Sequence, residues 1–209
     1  MARAADVTIK EALEPESLPP QQRERRDRII QAALDLLKDR EYDKIQIRDV
    51  SEEADVALAT LYRYFTSKEH LYAAALLEWS KTAELRKQRS VDQLGSDAER
   101  LRFLLTGVVK AVGRRPQLLR AEMTLANSRD PNARVLYDQF AERHTDAMRA
   151  ALRDVSPDEA DAIVEAASSV LVTRLRNWAR GGCTIKDVQR SVDRVVDLTL
   201  GDQARTPAR

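Results

Sequence analysis

Apolar residues recur along most of this chain at the three- and four-residue spacing that places them on one face of an α-helix. The first such stripe consists of Ile29, Ile30, Ala33, Leu34 and Leu37. Helices are predicted over about residues 22–38, 46–54, 57–65, 66–91, 97–113, 116–127, 131–154, 156–180 and 184–201. The pattern therefore predicts an all-α fold of about nine helices, in which three short ones precede six longer ones.

Residue types at the ends of these segments support the predicted boundaries. Thr66 and Glu69 have the spacing of a capping box, in which each side chain accepts a hydrogen bond from the backbone of the other residue. Ser156 and Glu159 repeat that spacing around a proline, which favours the first position of a helix. Only 6 glycines and 7 prolines occur, too few turn residues for a sandwich or barrel of many short strands.

The composition excludes several classes of protein. With 35 Lys and Arg against 34 Asp and Glu, the chain is not broadly polycationic, although a local basic surface can still bind nucleic acid. Cys183 is the only cysteine, which excludes an intrachain disulfide and a thiolate zinc cluster. The apolar runs are far too short to span a bilayer, and no secretory signal is visible. We therefore expect a cytoplasmic protein without a membrane partner.

The sequence contains no recognisable constellation for catalysis. The two histidines, His70 and His144, are each isolated from other candidate catalytic or metal-binding residues, and neither a glycine-rich phosphate loop nor a nucleophile elbow is present. His144 has helical spacing from Phe140 and Met148 and could line a cavity, but such a histidine is more often an ordinary helix residue. We predict no catalytic site, no metal site and no cofactor.

Two short helices with a tight turn between them, at residues 46–65, carry the strongest functional signal. On a helical wheel, Leu61 and Phe65 anchor one apolar face of the second helix. The opposite face is small and polar, and consists of Ala59, Thr60, Tyr62 and Arg63. A helix that enters the DNA major groove needs a buried back and a front with hydrogen-bonding groups. Arg48 and Lys68 add a cation at either end of the motif.

Spacing alone leaves a structural interpretation of this motif open. Helix pairs with short turns are common in all-α proteins, and Tyr62 and Tyr64 can be packing residues. Residues 22–68 carry ten basic and ten acidic side chains, so DNA binding requires that these charges be segregated. A basic cluster at the start of the first helix could meet phosphates or form a solvated face with neighbouring acids. It consists of Arg23, Arg25, Arg26 and Arg28.

The same stretch resembles the N-terminal domain of TetR-family transcriptional regulators over about residues 23–80. The resemblance is carried by Ile47-Arg48-Asp49-Val50, Ala54-Asp55-Val56, Thr60-Leu61-Tyr62-Arg63-Tyr64-Phe65 and Ser67-Lys68-Glu69. It implies that the third helix reads the major groove, that Arg48 reaches a base edge, and that Tyr64 and Lys68 hold phosphates. Asp55 replaces the usual glycine of the turn, where we expect a left-handed backbone that Asp tolerates.

The resemblance also implies a domain organisation. It comprises a flexible N-terminal tail over residues 1–19, a helix-turn-helix domain over 20–66, a ligand-binding and dimerisation domain over 67–203, and a C-terminal tail over 204–209. The implied function is that of a homodimeric repressor on a palindromic operator, released by an apolar effector. The alternative is a helical small-molecule-binding protein or enzyme that has kept the fold without specific DNA binding.

The last two predicted helices carry apolar stripes typical of an association surface. One stripe contains Val164, Leu171, Leu175 and Trp178, and the other contains Val188, Val192 and Val195 at nearly heptad spacing. In the family, two such helices pair with their symmetry mates. The stripes could instead cover the core of the chain itself, and in part they must.

A candidate ligand cavity is predicted between the helices of residues 101–148. Its expected lining is apolar and consists of Phe103, Leu104, Val108, Leu119, Met123, Tyr137, Phe140 and Met148. For any one of these residues, core packing is the alternative role.

Scattered residues resemble a subgroup of the family, the KstR-type repressors of actinobacterial cholesterol catabolism. They are Gln22-Arg23-Glu24-Arg25-Arg26, Arg63-Tyr64-Phe65, Arg115-Pro116-Gln117-Leu118-Leu119 and Gly201-Asp202-Gln203. The resemblance implies control of lipid catabolism by a steroid or an acyl-CoA thioester. A coenzyme A tail requires cations at the mouth of the cavity, for which Arg114, Arg115 and Arg120 are available.

Overall fold

The computed structural model describes residues 18–201, except for the side chains of residues 83–89. This part of the chain is all-helical, as predicted, and contains no strand. Its α-helices are α1 (Pro20–Asp39), α2 (Ile47–Glu53), α3 (Leu58–Tyr64), α4 (Lys68–Asp92), α5 (Asp97–Arg114), α6 (Pro116–Leu125), α7 (Pro131–Ala151), α8 (Pro157–Ala179) and α9 (Ile185–Leu200). A short 3-10 helix over Tyr42–Lys44, which the periodicity did not predict, links α1 to α2. Over the same residues, no helix is both long and apolar enough to cross a membrane.

The predicted capping box at the start of α4 is wrong by one residue. Ser67, not Thr66, is the N-cap, and its hydroxyl accepts the His70 backbone N–H at 2.9 Å. The His70 side chain decides between the two hydroxyl residues, because its Nδ1 accepts the backbone N–H of Thr66 at 3.2 Å and so holds Thr66 outside the helix. The capping box of Ser156 and Glu159 at the start of α8 is confirmed.

The turn between α2 and α3 has the backbone expected of it. Asp55 has a φ of 51°, in the left-handed region that glycine usually occupies, and it is the one non-glycine residue of the described chain with a positive φ. The Gln46 and Asp49 side chains cap α2 reciprocally, whereas α3 begins at Ala57 without a side-chain cap. The turn therefore keeps its left-handed geometry although Asp55 replaces the usual glycine of the family.

Two hydrophobic cores organise the chain, and α6 and α7 contribute side chains to both. The N-terminal core combines α1, α2 and α3 with the first turns of α4, and it includes the fully buried Ile29, Leu61 and Tyr72. It extends beyond the predicted boundary at residues 66 and 67, because Leu118 and Leu125 of α6 also pack in it. The second core lies between α5, α8 and α9. Of the predicted tails, residues 1–17 and 202–209 lie outside the described residues, whereas Leu18 is buried.

The apolar stripes of α8 and α9 form this second core, which corrects their assignment as the dimer interface. Six of the seven predicted residues are buried within the chain itself and the seventh, Trp178, is partly buried against the same core. The six are Val164, Leu171, Leu175, Val188, Val192 and Val195. An amphipathic stripe identifies the face of a helix that is buried, but the spacing does not say whether its own chain or a partner covers it. Here α5 and the two helices themselves provide the cover.

A buried ion pair fixes the beginning of α5 to two loops. The Asp97 carboxylate contacts the Arg100 guanidinium and accepts the backbone N–H groups of Arg153 and Asp154 at 2.8 and 2.9 Å. Arg100 donates in turn to the carbonyls of Ala151 and Leu94. Burial by itself raises the pKa of Asp97, but the two backbone donors and the Arg100 contact outweigh it and hold that pKa below its usual value.

We predict that Asp97→Ala lowers the free energy of unfolding by about 3–5 kcal/mol, because it removes the buried partner of the Arg100 charge, leaves that charge only the exposed Asp154 carboxylate, and leaves two backbone N–H groups without their acceptor. Glu99→Ala is the matched control in the same turn, since Glu99 is exposed and contributes only the capping box, about 0.3–1.5 kcal/mol. Urea unfolding followed by far-UV circular dichroism measures both variants. Equal losses for the two variants contradict the prediction.

Candidate DNA-binding surface and ligand cavity

Helix α3 presents one anchored and one exposed face. Leu61 and Phe65 are buried in the N-terminal core, with 0% and 1% of their surfaces exposed. Ala59, Tyr62 and Arg63 are exposed, and Thr60 is half-buried. Leu58, outside the predicted set, is also exposed and adds an apolar group that can contact a thymine methyl. The exposed face therefore combines hydrogen-bonding and apolar groups suited to base edges.

The side chains around α3 are less available to phosphates than the sequence indicated. Arg48 is exposed and its Nε lies 2.9 Å from Glu52 Oε1, an exposed ion pair that contributes little and can be exchanged. Lys68 donates from Nζ to the Tyr42 carbonyl at 2.5 Å and stands 4.1 Å from the centre of the Tyr42 ring. Burial lowers the pKa of Lys68. Tyr64 is half-buried against the N-terminal core.

The basic cluster at the start of α1 does not act as one surface. Arg26 is 8% exposed, and its guanidinium lies 5.5 Å from the centre of the Phe65 ring, so it packs on the N-terminal core instead of extending into solvent. Arg23 donates to the Leu18 carbonyl at 3.3 Å. Arg28 is exposed and Arg25 is half-buried. Long arginine side chains can cover apolar surface, and helical spacing alone did not reveal that Arg26 does so.

A cavity of about 290 Å³ lies between the helices from α4 to α8. Six predicted ligand residues line it: Leu104, Val108, Leu119, Tyr137, Phe140 and Met148. Phe103 and Met123 are not among the residues that line it; Phe103 is exposed and Met123 packs against the second core. The cavity wall also contains Leu171 and Leu175, which the sequence suggested for the dimer interface.

Sequence reasoning missed most of the polar residues of the cavity and the contribution of α4. Leu76, Trp79 and Ser80 of α4 line it, together with Glu122, His144 and Arg176 from the later helices. Nothing in the local pattern distinguishes such charged residues from the solvated face of a helix. The helical spacing of His144 from Phe140 did indicate a cavity position.

Two polar contacts define the chemistry inside the cavity. The Tyr137 hydroxyl donates to Glu122 Oε1 at 2.5 Å. Burial first, and then the Glu122 charge, raise the pKa of Tyr137, so its hydroxyl keeps its proton. His144 Nδ1 lies 2.8 Å from the Phe140 carbonyl oxygen, and because a carbonyl only accepts, Nδ1 carries the hydrogen.

The three arginines proposed for the cavity mouth do not line the cavity. Arg114, Arg115 and Arg120 are exposed, and Arg120 Nη1 lies 3.3 Å from Glu41 Oε1. Arg176 is the arginine among the lining residues, and it is exposed as well. A cation is thus present at the cavity, but at a position on α8 instead of α5 or α6.

Family models and relatives match the chain along most of its length. The model of bacterial regulatory proteins of the tetR family matches residues 29–75, and that of the tetracyclin repressor-like C-terminal domain matches residues 95–199. The HTH-type transcriptional repressor KstR of Rhodococcus jostii (strain RHA1) is 33% identical over 187 residues, which cover 89% of this chain and 87% of the relative.

Solved structures share the fold. A TetR transcriptional regulator from Rhodococcus sp. RHA1 superimposes with a TM-score of 0.69 at 23% identity, over 88% of this chain and 98% of that one. The transcriptional regulator FadR from Bacillus subtilis, in complex with stearoyl-CoA, gives a TM-score of 0.65 at 14% identity, over 83% and 97% of the two chains.

We predict that Tyr62→Ala and Arg63→Ala each weaken specific DNA binding by about 1–3 kcal/mol without altering thermal stability, because both side chains are exposed on α3. The DNA site is first selected from a random pool with the wild-type protein, and affinities are then measured by fluorescence anisotropy. Arg134→Ala, at an exposed position of α7, is the control and should bind as the wild type does. Unchanged affinity of the Arg63 variant contradicts the orientation of α3.

Proposed function

The chain belongs to the tetR family of bacterial regulatory proteins. We propose that it represses transcription as a homodimer bound to a palindromic operator. Binding of an apolar effector releases the protein from that operator. Such regulators act by binding DNA and are not enzymes. One observation carries the proposal: a single helix, α4, follows the DNA-reading helix and also lines the cavity. A cytoplasmic location remains a prediction.

The effector class follows from the cavity lining. Its walls are formed mainly by aliphatic and aromatic side chains, which favour an apolar molecule. The relative KstR and the stearoyl-CoA complex of FadR support a lipid-like effector, a steroid or an acyl-CoA thioester. Arg176 is placed to meet an anionic group at the surface of the cavity.

Two helices connect the cavity to α3. Leu71 and Ala75 of α4 are buried in the N-terminal core. Trp79 follows Ala75 by about one helical turn and Leu71 by about two, and it lines the cavity. Helix α7 lines the cavity with Tyr137, while its Asn132 donates from Nδ2 to Thr66 Oγ1 at 3.1 Å, beside the start of α4. A ligand that separates α4 from α7 therefore moves the corner on which α3 is held.

The proposed switch requires only a small displacement. Two reading helices of a dimer must lie about 34–36 Å apart to enter successive major grooves, so a change in that spacing weakens both contacts together. The effector shifts this equilibrium only as far as it binds the two conformations with different affinities.

The outward faces of α8 and α9 are the proposed dimer interface. Ser169 and Thr173 of α8 are exposed small residues that permit close approach of a second helix. Leu198 of α9 is 83% exposed, the most exposed large apolar side chain of the described chain. The inward faces of the same helices form the second core, so each helix can pack in the core with one face and contact a partner subunit with the other.

For the dimer, we predict that Leu198→Asp gives a folded monomer whose operator affinity falls at least about 100-fold, because each half-site alone is bound weakly. Val192→Asp is the contrasting variant, since Val192 is fully buried and a charge there should abolish cooperative unfolding instead. Sedimentation velocity and thermal melting separate the two outcomes. A dimeric Leu198 variant contradicts this placement of the interface.

For the switch, we predict that an acyl-CoA or steroid thioester lowers operator affinity, that free coenzyme A does not, and that Val108→Trp blunts the response by filling the cavity while DNA binding is kept. Val135→Trp, at an exposed position of α7 outside the cavity, is the control and should respond normally. Fluorescence anisotropy of a labelled operator follows each titration.

Two results would count against the function. Operator affinity that no apolar ligand changes contradicts the lipid effector. Absence of any specific, salt-sensitive DNA complex contradicts repression and favours a binding protein that has kept the fold.

A further inference from the structure

The cavity is apolar except for a small set of polar groups, and the direction of their hydrogen bonds is informative. The hydroxyl groups of Ser80 and Thr145 donate to backbone carbonyls of their own helices, at 2.7 and 2.8 Å. The ring nitrogen Nδ1 of His144 donates in the same way to the Phe140 carbonyl oxygen. These donors are thus already engaged before a ligand arrives.

The Tyr137 hydroxyl, a further donor of the cavity wall, is engaged as well. It donates to Glu122 Oε1 at 2.5 Å, and that bond leaves Glu122 with unused acceptor capacity, because an ionised carboxylate offers about four lone-pair sites. Among the described residues, Tyr137 is the hydrogen-bond partner of the Glu122 side chain. The cavity wall therefore offers an acceptor at Glu122.

The charge around Glu122 favours a neutral donor. Arg176 lines the same cavity, and its positive charge reaches Tyr137, whose pKa it lowers against the larger effects of burial and Glu122. Because Arg176 already supplies a positive charge near the Tyr137–Glu122 pair, a ligand does not need a positive charge of its own to balance Glu122. A ligand carboxylate or ketone brings only acceptors, which the Glu122 carboxylate cannot meet.

We propose that Glu122 selects effectors whose apolar body carries a hydroxyl group, and that this hydroxyl donates to the Glu122 carboxylate. Ketones of the same shape are disfavoured, because they bring no donor for the acceptor sites of the Glu122 carboxylate that Tyr137 leaves unused, and they separate those sites from water. The inference rests on the proposed function only in taking the cavity as the effector site.

The test measures ligand binding without DNA, so its outcome is independent of whether the effector releases an operator. The probes are cyclododecanol and cyclododecanone, which differ only in carrying a hydroxyl or a carbonyl group. Trp79 lines the cavity and reports binding by fluorescence once Trp178 is replaced by Phe. Melting curves of every variant verify that it is folded.

The protein with Trp79 as its single tryptophan should bind the alcohol about tenfold or more tightly than the ketone. Glu122→Gln is isosteric and adds a donor, so it should reduce the difference below about threefold by weakening the alcohol and strengthening the ketone. Tyr137→Phe is the matched control: it removes the neighbouring hydroxyl, leaves the carboxylate, and should keep the preference for the alcohol.

The comparison of the two probes on the protein with native Glu122 decides the matter even if a variant does not fold. Equal or tighter binding of the ketone overturns the proposal, as does binding of neither probe. A preference that Glu122→Gln leaves unchanged overturns the assignment to Glu122.

Discussion

The continuity of α4 is the constraint on which the arrangement of this protein depends. The helix runs over 25 residues without a break, roughly 37 Å, and its first turns are buried in the N-terminal core while its middle lines the cavity. Leu71 and Trp79 are about 12 Å apart along its axis. Packed helices shift as units between discrete arrangements, so α4 is the helix through which we propose that a change at the cavity reaches α3.

The segment between α3 and α4 connects both helices to α7 through hydrogen bonds. Thr66, Ser67 and His70 hold one another through backbone and side-chain hydrogen bonds, and Asn132 of α7 adds a contact from the cavity side. Burial lowers the pKa of His70, which keeps the ring neutral and its Nδ1 able to accept the Thr66 N–H. The ring also packs edge-on against Phe65, which itself anchors α3. Two helices that line the cavity, α4 and α7, therefore contact the short segment that follows α3.

Sequence patterns predicted the features that depend on local geometry. They failed for features that depend on which distant part of the chain packs against a helix. The exposed face of α3, the left-handed Asp55 and the capping box at Ser156 follow from spacing and residue type within a few positions. The stripe containing Val192 was equally clear, but its partner is another helix of the same chain, which periodicity does not specify. Glu122 escaped prediction for the related reason that a charged residue is assumed to face solvent.

The charge distribution around α3 bears on the dimer and on the change of spacing that we propose. Acidic residues near α3 pair with neighbouring arginines, as in Arg40–Asp49 and Arg48–Glu52, and so offset part of the positive charge of this surface. Affinity that does not depend on sequence grows with the number of phosphates that basic side chains neutralise. In the proposed function, recognition therefore depends mainly on base contacts by α3, which the two halves of the dimer make at successive half-sites. A protein held mainly by such contacts is released by a modest displacement of one half relative to the other, because few phosphate contacts remain to retain it.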